Sequence, residues 1–315
     1  MAVIENAKVT VVGAGAVGSA TAYALMIRGS AREVVLYDID AKRANAEALD
    51  LAHGAMFTGA SEVVGTSDVE RTAASHVIVV TAGAAQRPGQ TRLELVETNA
   101  RIMASLIPTL VEASPRAIVI IVSNPCDVLA TLAVEQTGAD PARMFASGCV
   151  LDTSRLRRAI ASRAQVDPRS VHAHIIGEHG DSEFPLWSSA RIGPLPIKDW
   201  GERFTPEELE AIATEVRTAA YTIIEGKGAT NYAIGLSSTR IVEAVLRDER
   251  AILPVSTVLS GTLGVDGVAL SLPSIVGSAG AVPLDRIRLS DGERELLARS
   301  AATLGETAAA VRAVL

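Results

Sequence analysis

A glycine-rich turn near the start of the chain constrains its fold more than any other sequence feature. Lys8–Val12 is a short run of mostly β-branched apolar residues, and an alanine-rich helical stretch continues to about Gly29. Between them lies Gly13-Ala14-Gly15-Ala16-Val17-Gly18, a G-x-G-x-x-G pattern in strand–turn–helix context. In dinucleotide-binding βαβ units such glycines let a pyrophosphate approach the N-terminus of the helix, where N–H groups and the helix dipole favour anions. A glycine-rich turn without a ligand is the structural alternative.

An acidic residue in the right place makes the dinucleotide interpretation more specific. A second predicted strand, Glu33–Tyr37, ends in Asp38, close to the expected distance of about 20 residues after the glycines. A carboxylate at this point accepts hydrogen bonds from the ribose hydroxyls and repels a 2′-phosphate. The pairing of Asp38 with the glycine turn therefore predicts NAD, rather than NADP, as the cofactor.

The alternation of strand and helix patterns continues through the first half of the chain. Apolar strands are predicted at 76–80 and 117–122, with amphipathic helices between them. This predicts an α/β fold with a Rossmann-type, doubly wound parallel sheet covered by helices on both faces. Ligands of such sheets bind at the carboxyl ends of the strands, where Gly83 and Asn124 fall.

The length of the chain, 315 residues, favours two domains over a single core. We predict an NAD-binding Rossmann domain over 1–145 and an α+β substrate and oligomerisation domain over 146–315. In the second half, Thr205-Pro206 starts a predicted long helix, paired strands are expected at 255–260 and 268–272, and a last helix starts near Ser290.

A histidine flanked by glycines is the leading candidate for acid–base chemistry. A predicted strand over 171–176 runs into Gly177-Glu178-His179-Gly180. The glycines allow a sharp turn that presents the imidazole at the mouth of a cleft. Because histidine titrates near neutrality, His179 is suited to donate and recover a proton. A capping or core histidine is the structural alternative.

Two further polar segments accompany this histidine. Asp152 and Arg155 are three residues apart in a predicted helix and lie on one face, while Arg157 points elsewhere. A surface ion pair is the alternative for Asp152 and Arg155. The polar segment 84–92, with proline and glycine, is too long for a tight turn and is interpreted as a mobile lid, with a solvated loop as its alternative.

Charge and cysteine content exclude several classes of function. The formal net charge of −7 argues against a nucleic-acid or anionic-membrane partner. No apolar run approaches the length of a membrane span. Cys126 and Cys149 lack metal-ligand or redox spacing, which predicts no metal site and two small buried thiols in a reducing cytoplasm.

Six motifs along nearly the whole chain resemble the lactate/malate dehydrogenase family, and its bacterial L-lactate branch more closely. They are, in order, GAGAVG, TAGAAQRPGQTR, VSNP, LDTSR, GEHGDSE and EGKGATNYAIG. The resemblance implies a cytoplasmic, homotetrameric NAD-dependent 2-hydroxyacid dehydrogenase of glycolysis and fermentation. Ser123 and Cys126 depart from the residues most expected in the VSNP segment.

The resemblance also implies a role for each matching residue. His179 is the acid/base, Asp152 its orienting carboxylate, Arg155 the ligand of the substrate carboxylate, and Arg92 the group that polarises the substrate carbonyl. Gln86, Asn124 and Thr230 complete the substrate site, and a cis peptide bond is expected before Pro125. The positions that match cofactor-binding residues are Gly13, Gly15, Val17, Gly18, Asp38, Arg43, Gly83, Ala84, Ser105, Val122, Asn124 and Ser147.

Substrate choice is expected to depend on the predicted lid. Malate enzymes carry an arginine where this chain has Gln86, because oxaloacetate brings a second carboxylate that must be paired in a closed cavity. The neutral Gln86 and the compact Thr230 favour pyruvate. Since a slip of one residue would put Arg87 at this position, malate dehydrogenase stays an alternative, as does a branched 2-oxo acid reductase.

Two other interpretations follow from the same motifs. Arg157 and His172 match positions that bind fructose 1,6-bisphosphate across a subunit interface in bacterial relatives, whereas two ordinary surface residues are the structural alternative. The chain could also be an NAD-binding module without catalysis. A complete set of Asp152, Arg155 and His179 argues against that, because a pure binding protein has no chemical need for it.

Overall fold

The structure is a computed structural model that describes residues 4–59, 61–84 and 92–315, and of residues 92 and 93 the backbone only. Eight α-helices lie in these ranges: α1 Ala16–Arg28, α2 Ala41–His53, α3 Arg92–Ala113, α4 Cys126–Thr137, α5 Val150–Ala164, α6 Pro206–Lys227, α7 Tyr232–Leu246 and α8 Asp291–Arg312. The strands of the same ranges are β1 Lys8–Val12, β2 Glu33–Tyr37, β3 Glu62–Thr66, β4 Val77–Val80, β5 Ile118–Ile121, β6 Met144–Ala146, β7 Val171–His172, β8 Ile175–Ile176, β9 Phe184–Pro185, β10 Arg191–Ile192, β11 Leu195–Pro196, β12 Ala251–Thr262, β13 Val265–Gly277 and β14 Gly280–Pro283.

Six parallel strands form the predicted doubly wound sheet, in the order β6-β5-β4-β1-β2-β3. Alternate residues of β4 enter two different cores, Ile78 and Val80 on one face and Val77 and Val79 on the other. A strand buried on both faces must be apolar at every position, which explains the continuous valine and isoleucine runs in the sequence. The predicted α/β class is confirmed.

Strands β12 to β14 of the second half extend this sheet instead of forming a separate one. β12 pairs antiparallel with β6 through Ser256 and Ala146, and β13 and β14 continue the sheet to its edge. The predicted pairing of strands near 255–260 and 268–272 is therefore correct. Backbone pairing of β12 with β6 therefore joins the two halves of the chain in one continuous sheet.

The helix starts read from the sequence are confirmed by their caps. The Thr205 side chain accepts a hydrogen bond from the Glu208 N–H at the start of α6. Ser290 and Glu293 form a reciprocal capping box at the start of α8. No helix in the described ranges combines the length and the apolar character needed to cross a bilayer.

The prediction of a single strand over 171–176 is wrong. The structure has two short strands there, β7 and β8, which belong to two different small sheets. Near this break, two backbone groups bond side chains of helix α5. The Ala173 carbonyl accepts from Arg157 Nε at 2.9 Å, and the Ile175 N–H donates to Thr153 Oγ1 at 2.8 Å. These side-chain partners satisfy the backbone groups that a longer ladder would have used.

Candidate active site

A buried carboxylate on α5 holds the candidate histidine and the candidate arginine together. Asp152, only 1% exposed, accepts from Arg155 Nη1 on Oδ1 at 2.8 Å and pairs with His179 Nδ1 through Oδ2 at 2.6 Å. Asp152 and Arg155 lie on one helix face, as their spacing predicts. The burial of Asp152 rules out the alternative of an ordinary surface ion pair.

The electrostatic surroundings favour the protonated form of His179. Burial opposes a charged imidazole, but the Asp152 carboxylate more than compensates and raises the pKa of His179 to about 10. Burial likewise opposes ionisation of Asp152, yet the His179 and Arg155 cations lower its pKa below the ordinary value. The His179 side chain keeps 24% of its surface exposed. It can therefore carry a proton at neutral pH and still reach a ligand.

The loop that carries His179 is fixed from three sides. Gly177 has a φ of +96° and exchanges two backbone hydrogen bonds of 3.0 Å with Ser271 of β13. The Glu178 N–H donates to Ser300 Oγ of α8 at 2.6 Å, and the His179 N–H donates to Asp127 Oδ2 of α4 at 2.6 Å. The predicted sharp turn at Gly177 is thus confirmed.

Asp127 is a site residue that sequence reasoning missed. It is 2% exposed in the first turn of α4 and holds the backbone of the histidine loop. The available signal was a carboxylate at the second position of an otherwise mostly apolar helix, only three residues after Asn124. A charge in such a buried place requires a partner, which here is the N–H of His179.

The glycine turn has the shape that a dinucleotide requires. Gly13 has a φ of +100°, and a Cβ at Gly18 would lie 1.7 Å from the Gly13 carbonyl oxygen. A Cβ at Gly15, by contrast, would meet nothing within 4 Å, so open space lies in front of this residue. Asp38 Oδ2 accepts from the Ala14 N–H at 2.7 Å, which joins the end of β2 to the turn. The turn, the space and the carboxylate fit NAD.

The remaining cofactor candidates follow the carboxyl ends of neighbouring parallel strands. Gly83 and Ala84 follow β4, Val122 follows β5 and Ser147 follows β6. Asn99 of α3, another residue that sequence reasoning did not assign, is 2% exposed and ties two of these ends together. Its Oδ1 accepts from the Ala84 N–H at 2.7 Å and its Nδ2 donates to the Asn124 carbonyl at 2.8 Å. The expected cis peptide bond between Asn124 and Pro125 is present.

For several predicted site residues, the structure describes no contact with His179, Asp152, Arg155 or the glycine turn. Arg43 and Ser105 are exposed, and the Ser105 hydroxyl donates to a carbonyl of its own helix at 3.0 Å. Thr230 lies half-buried between α6 and α7. Gln86, most of the predicted lid and the Arg92 side chain lie outside the described residues.

Arg157 faces away from Asp152, as its position on the helix predicts. Its Nε donates to the Ala173 carbonyl, and Nη2 lies 3.1 Å from His174 Nε2. Burial, and next the Arg157 cation, lower the pKa of His174 to about 4, so this imidazole is neutral and accepts the bond. His172, in contrast, is exposed.

The fold and the site together define a class of protein. The doubly wound sheet has a glycine turn and an acidic residue after β2, which together are typical of an NAD site. A protonated imidazole and a guanidinium lie beside this sheet, as the chemistry of an NAD-dependent dehydrogenase requires. Family models of the lactate/malate dehydrogenase NAD binding domain and alpha/beta C-terminal domain match residues 7–146 and 149–314. The chain belongs to the lactate/malate dehydrogenase family and is an NAD-dependent oxidoreductase.

Relatives of known name agree with this assignment over nearly their full length. An L-lactate dehydrogenase of Bifidobacterium animalis subsp. lactis is 45% identical, with 97% of both chains covered. An L-lactate dehydrogenase of Thermus aquaticus is also 45% identical, with 96% of this chain and 99% of that protein covered. The crystal structure of a lactate dehydrogenase from a Medee basin deep-sea metagenome library matches with a TM-score of 0.94 at 38% identity, covering 98% of this chain and 99% of the other.

Proposed function

We propose that the chain is an NAD-dependent L-lactate dehydrogenase that interconverts pyruvate and (S)-lactate, with His179 as the acid/base. The observation that carries this proposal is the 2.6 Å contact between His179 Nδ1 and the buried Asp152, beside Arg155. NADH, when bound along the glycine turn and Asp38, supplies the hydride.

The residues of this chain manage the charge of the reaction. Negative charge grows on the carbonyl oxygen of pyruvate during its reduction, and protonated His179 donates a proton to that oxygen. Asp152 keeps the imidazole oriented and charged beforehand. In the reverse direction, neutral His179 accepts the proton of the lactate hydroxyl.

Arg155 is proposed to bind the substrate carboxylate. A guanidinium has five N–H donors, and the bond to Asp152 uses Nη1, so donors remain for a bidentate contact with a carboxylate. Arg92 is proposed to polarise the carbonyl, and Asn124 to donate to the same oxygen. The neutral Gln86 and the compact Thr230 are proposed to favour the methyl group of pyruvate over a second carboxylate.

A comparison of substrates tests the proposal. NADH consumption is followed by absorbance with pyruvate, oxaloacetate and a branched 2-oxo acid, and kcat/KM is determined for each. We expect the largest kcat/KM for pyruvate. A preference for oxaloacetate would make the chain a malate dehydrogenase, and no turnover of any of the three would favour an NAD-binding protein without catalysis.

We also propose that the chain acts as a homotetramer in a reducing cytoplasm. Large apolar side chains are about half exposed or more on α1 and α7, which pack against each other where Gly235 meets Ala20. They are Tyr23, Ile27, Tyr232 and Leu236. Exposed apolar side chains on two packed helices support association with further copies. The two free, buried cysteines support the reducing compartment.

Regulation by fructose 1,6-bisphosphate at Arg157 and His172 completes the proposal. The exposed His172 interacts electrostatically with His174, whose Nε2 lies 3.1 Å from Arg157 Nη2. An anion that bridges Arg157 and its symmetry mate would relieve the repulsion between the two guanidinium groups. Activity at low pyruvate with and without the sugar bisphosphate is the test. An unchanged pyruvate KM would contradict regulation at this site.

A further inference from the structure

Besides Asp152 and Asp127, a further buried carboxyl group lies beside His179 and has no role in the mechanism above. Glu183 precedes β9 and is only 6% exposed. One carboxyl oxygen of Glu183 lies within 4.8 Å of an oxygen of Asp152 and of a ring nitrogen of His179. Its backbone N–H donates to the Gly180 carbonyl at 3.2 Å, so the carboxyl belongs to the same compact loop as the histidine.

The charges around Glu183 come from three segments of the chain. On α5 and in the histidine loop, both oxygens of Asp152 are already occupied by Arg155 and His179. On α6, Arg217 interacts electrostatically with Glu183, although its own Nε is buried without a hydrogen-bond partner in the described part of the chain. The titratable and charged groups that face Glu183 or its neighbours are Cys149, Asp152, Arg155, His179, Arg217 and, beyond His179, Asp127.

Two carboxyl groups this close, both buried, do not ionise together at neutral pH. Burial raises the pKa of Glu183, and the neighbouring Asp152 raises it further, to about 8, against the opposing effect of His179, Arg155 and Arg217. Asp152 keeps the negative charge because two cations bond it directly. Glu183 is therefore a neutral acid at pH 7, and a carboxylate above about pH 8.

We propose that Glu183 is a positioning residue that acts through Arg155 and His179, and that it must keep its proton for the site to accept an anionic substrate. Neutral Glu183 leaves the Arg155 cation available to the substrate carboxylate. Ionised Glu183 adds a second negative charge beside Asp152 and competes with the incoming anion for the same cation. This inference rests on the proposed function of Arg155 and His179.

The proposal predicts a change in KM with little change in kcat. In the unaltered protein, the KM for pyruvate should rise about tenfold for each pH unit above about 8. Glu183→Gln keeps the shape of the neutral acid and cannot ionise. Its KM should stay flat from pH 6 to 9 and lie about tenfold below that of the unaltered protein at pH 9. Its kcat at pH 7 should change less than threefold, about 0.7 kcal/mol.

Glu215→Gln on α6 is the matched control, since it removes one carboxylate that pairs with Arg163 outside the site. It should reproduce the pH dependence of the unaltered protein. A KM that is flat to pH 9 in the unaltered protein would overturn the proposal without any variant. A KM that rises equally in Glu183→Gln would overturn it as well, because another group would then be responsible.

If Glu183→Gln has too little activity for KM to be determined, a measurement of folding stability tests the proposal instead. A carboxyl whose folded pKa is raised to about 8 costs folding stability as pH rises from its ordinary pKa of about 4.5 to 8. The free energy of unfolding of Glu183→Gln relative to the unaltered protein should therefore increase across this range. A constant difference would overturn the proposal. Absence of pyruvate turnover in the unaltered protein would instead contradict the proposed function.

Discussion

At the residue scale, one carboxylate decides the chemistry of the site. Asp152 lies 1% exposed between His179 and Arg155 and bonds both. Desolvated charge pairs interact strongly, so the same contact orients the imidazole and keeps it protonated. Removing one partner leaves the other charge buried and unpaired, which makes each of the three residues sensitive to substitution.

The first prediction concerns the proton donor itself. His179→Ala should lower kcat for pyruvate reduction by two to four decades, about 3–5 kcal/mol, because it removes the proposed proton donor to the carbonyl oxygen. NADH affinity, measured by fluorescence titration, should be nearly unchanged. His53→Ala, at an exposed position on α2, serves as the control and should keep full activity. A His179→Ala protein with most of its turnover would remove His179 from the mechanism.

The second prediction concerns the pH dependence that Asp152 imposes. The raised pKa of His179, about 10, keeps the imidazole protonated as pH rises toward that value. Asp152→Asn removes the main stabilising charge, so the loss of pyruvate reduction at high pH should begin at lower pH. The measurement is kcat/KM for pyruvate against pH for both proteins. Superimposable pH profiles would show that Asp152 does not set the proton affinity of His179.

At the element scale, two glycines in the turn between β1 and α1 are present for different reasons. Gly18 is required by the protein itself, since a Cβ there would collide with the Gly13 carbonyl oxygen. Gly15 faces open space, and we propose that its lack of a side chain lets the cofactor approach the turn. The sequence pattern alone does not distinguish these two roles.

The third prediction follows from this difference. Gly18→Ala should lower the free energy of unfolding by about 1–3 kcal/mol or more, measured by denaturant titration. Gly15→Ala should change it by less than about 1 kcal/mol, yet weaken NADH binding at least tenfold, about 1.4 kcal/mol. Equal NADH affinity in Gly15→Ala and the unaltered protein would mean that the pyrophosphate does not approach Gly15.

At the scale of the whole molecule, one sheet joins the two halves. The antiparallel pairing of β6 with β12 joins the half of the sheet that carries the glycine turn to the half of the chain that carries His179. Both cores draw residues from both halves, for example Leu129 with Leu304 on one face and Val79 with Ile241 on the other. The exposed apolar side chains of α1 and α7 form a face on the outside of the molecule.

The fourth prediction tests whether this face mediates association. Leu236→Glu should dissociate the proposed tetramer into smaller species, because a buried, unpaired carboxylate in an apolar interface is costly. Val282→Glu on β14 is a similarly exposed control outside this face and should leave the assembly unchanged. Light scattering during size-exclusion chromatography gives the mass of each. An unaltered protein that is monomeric, or a Leu236→Glu protein of unchanged mass, would contradict the role of this face.

The sequence by itself determined the doubly wound sheet, the NAD turn, the helix starts at Thr205 and Ser290 and the shared face of Asp152 and Arg155. These features depend on local periodicity, on glycine conformation and on spacing within one element, all of which are visible along the chain. Only the tertiary structure decided the rest. It divided 171–176 into two strands, brought Asp127 and Asn99 into the site, and placed Asp152 against His179, 27 residues away. Burial and charge act through space, so the proton affinities of His179 and Glu183 depend on groups that no local pattern connects.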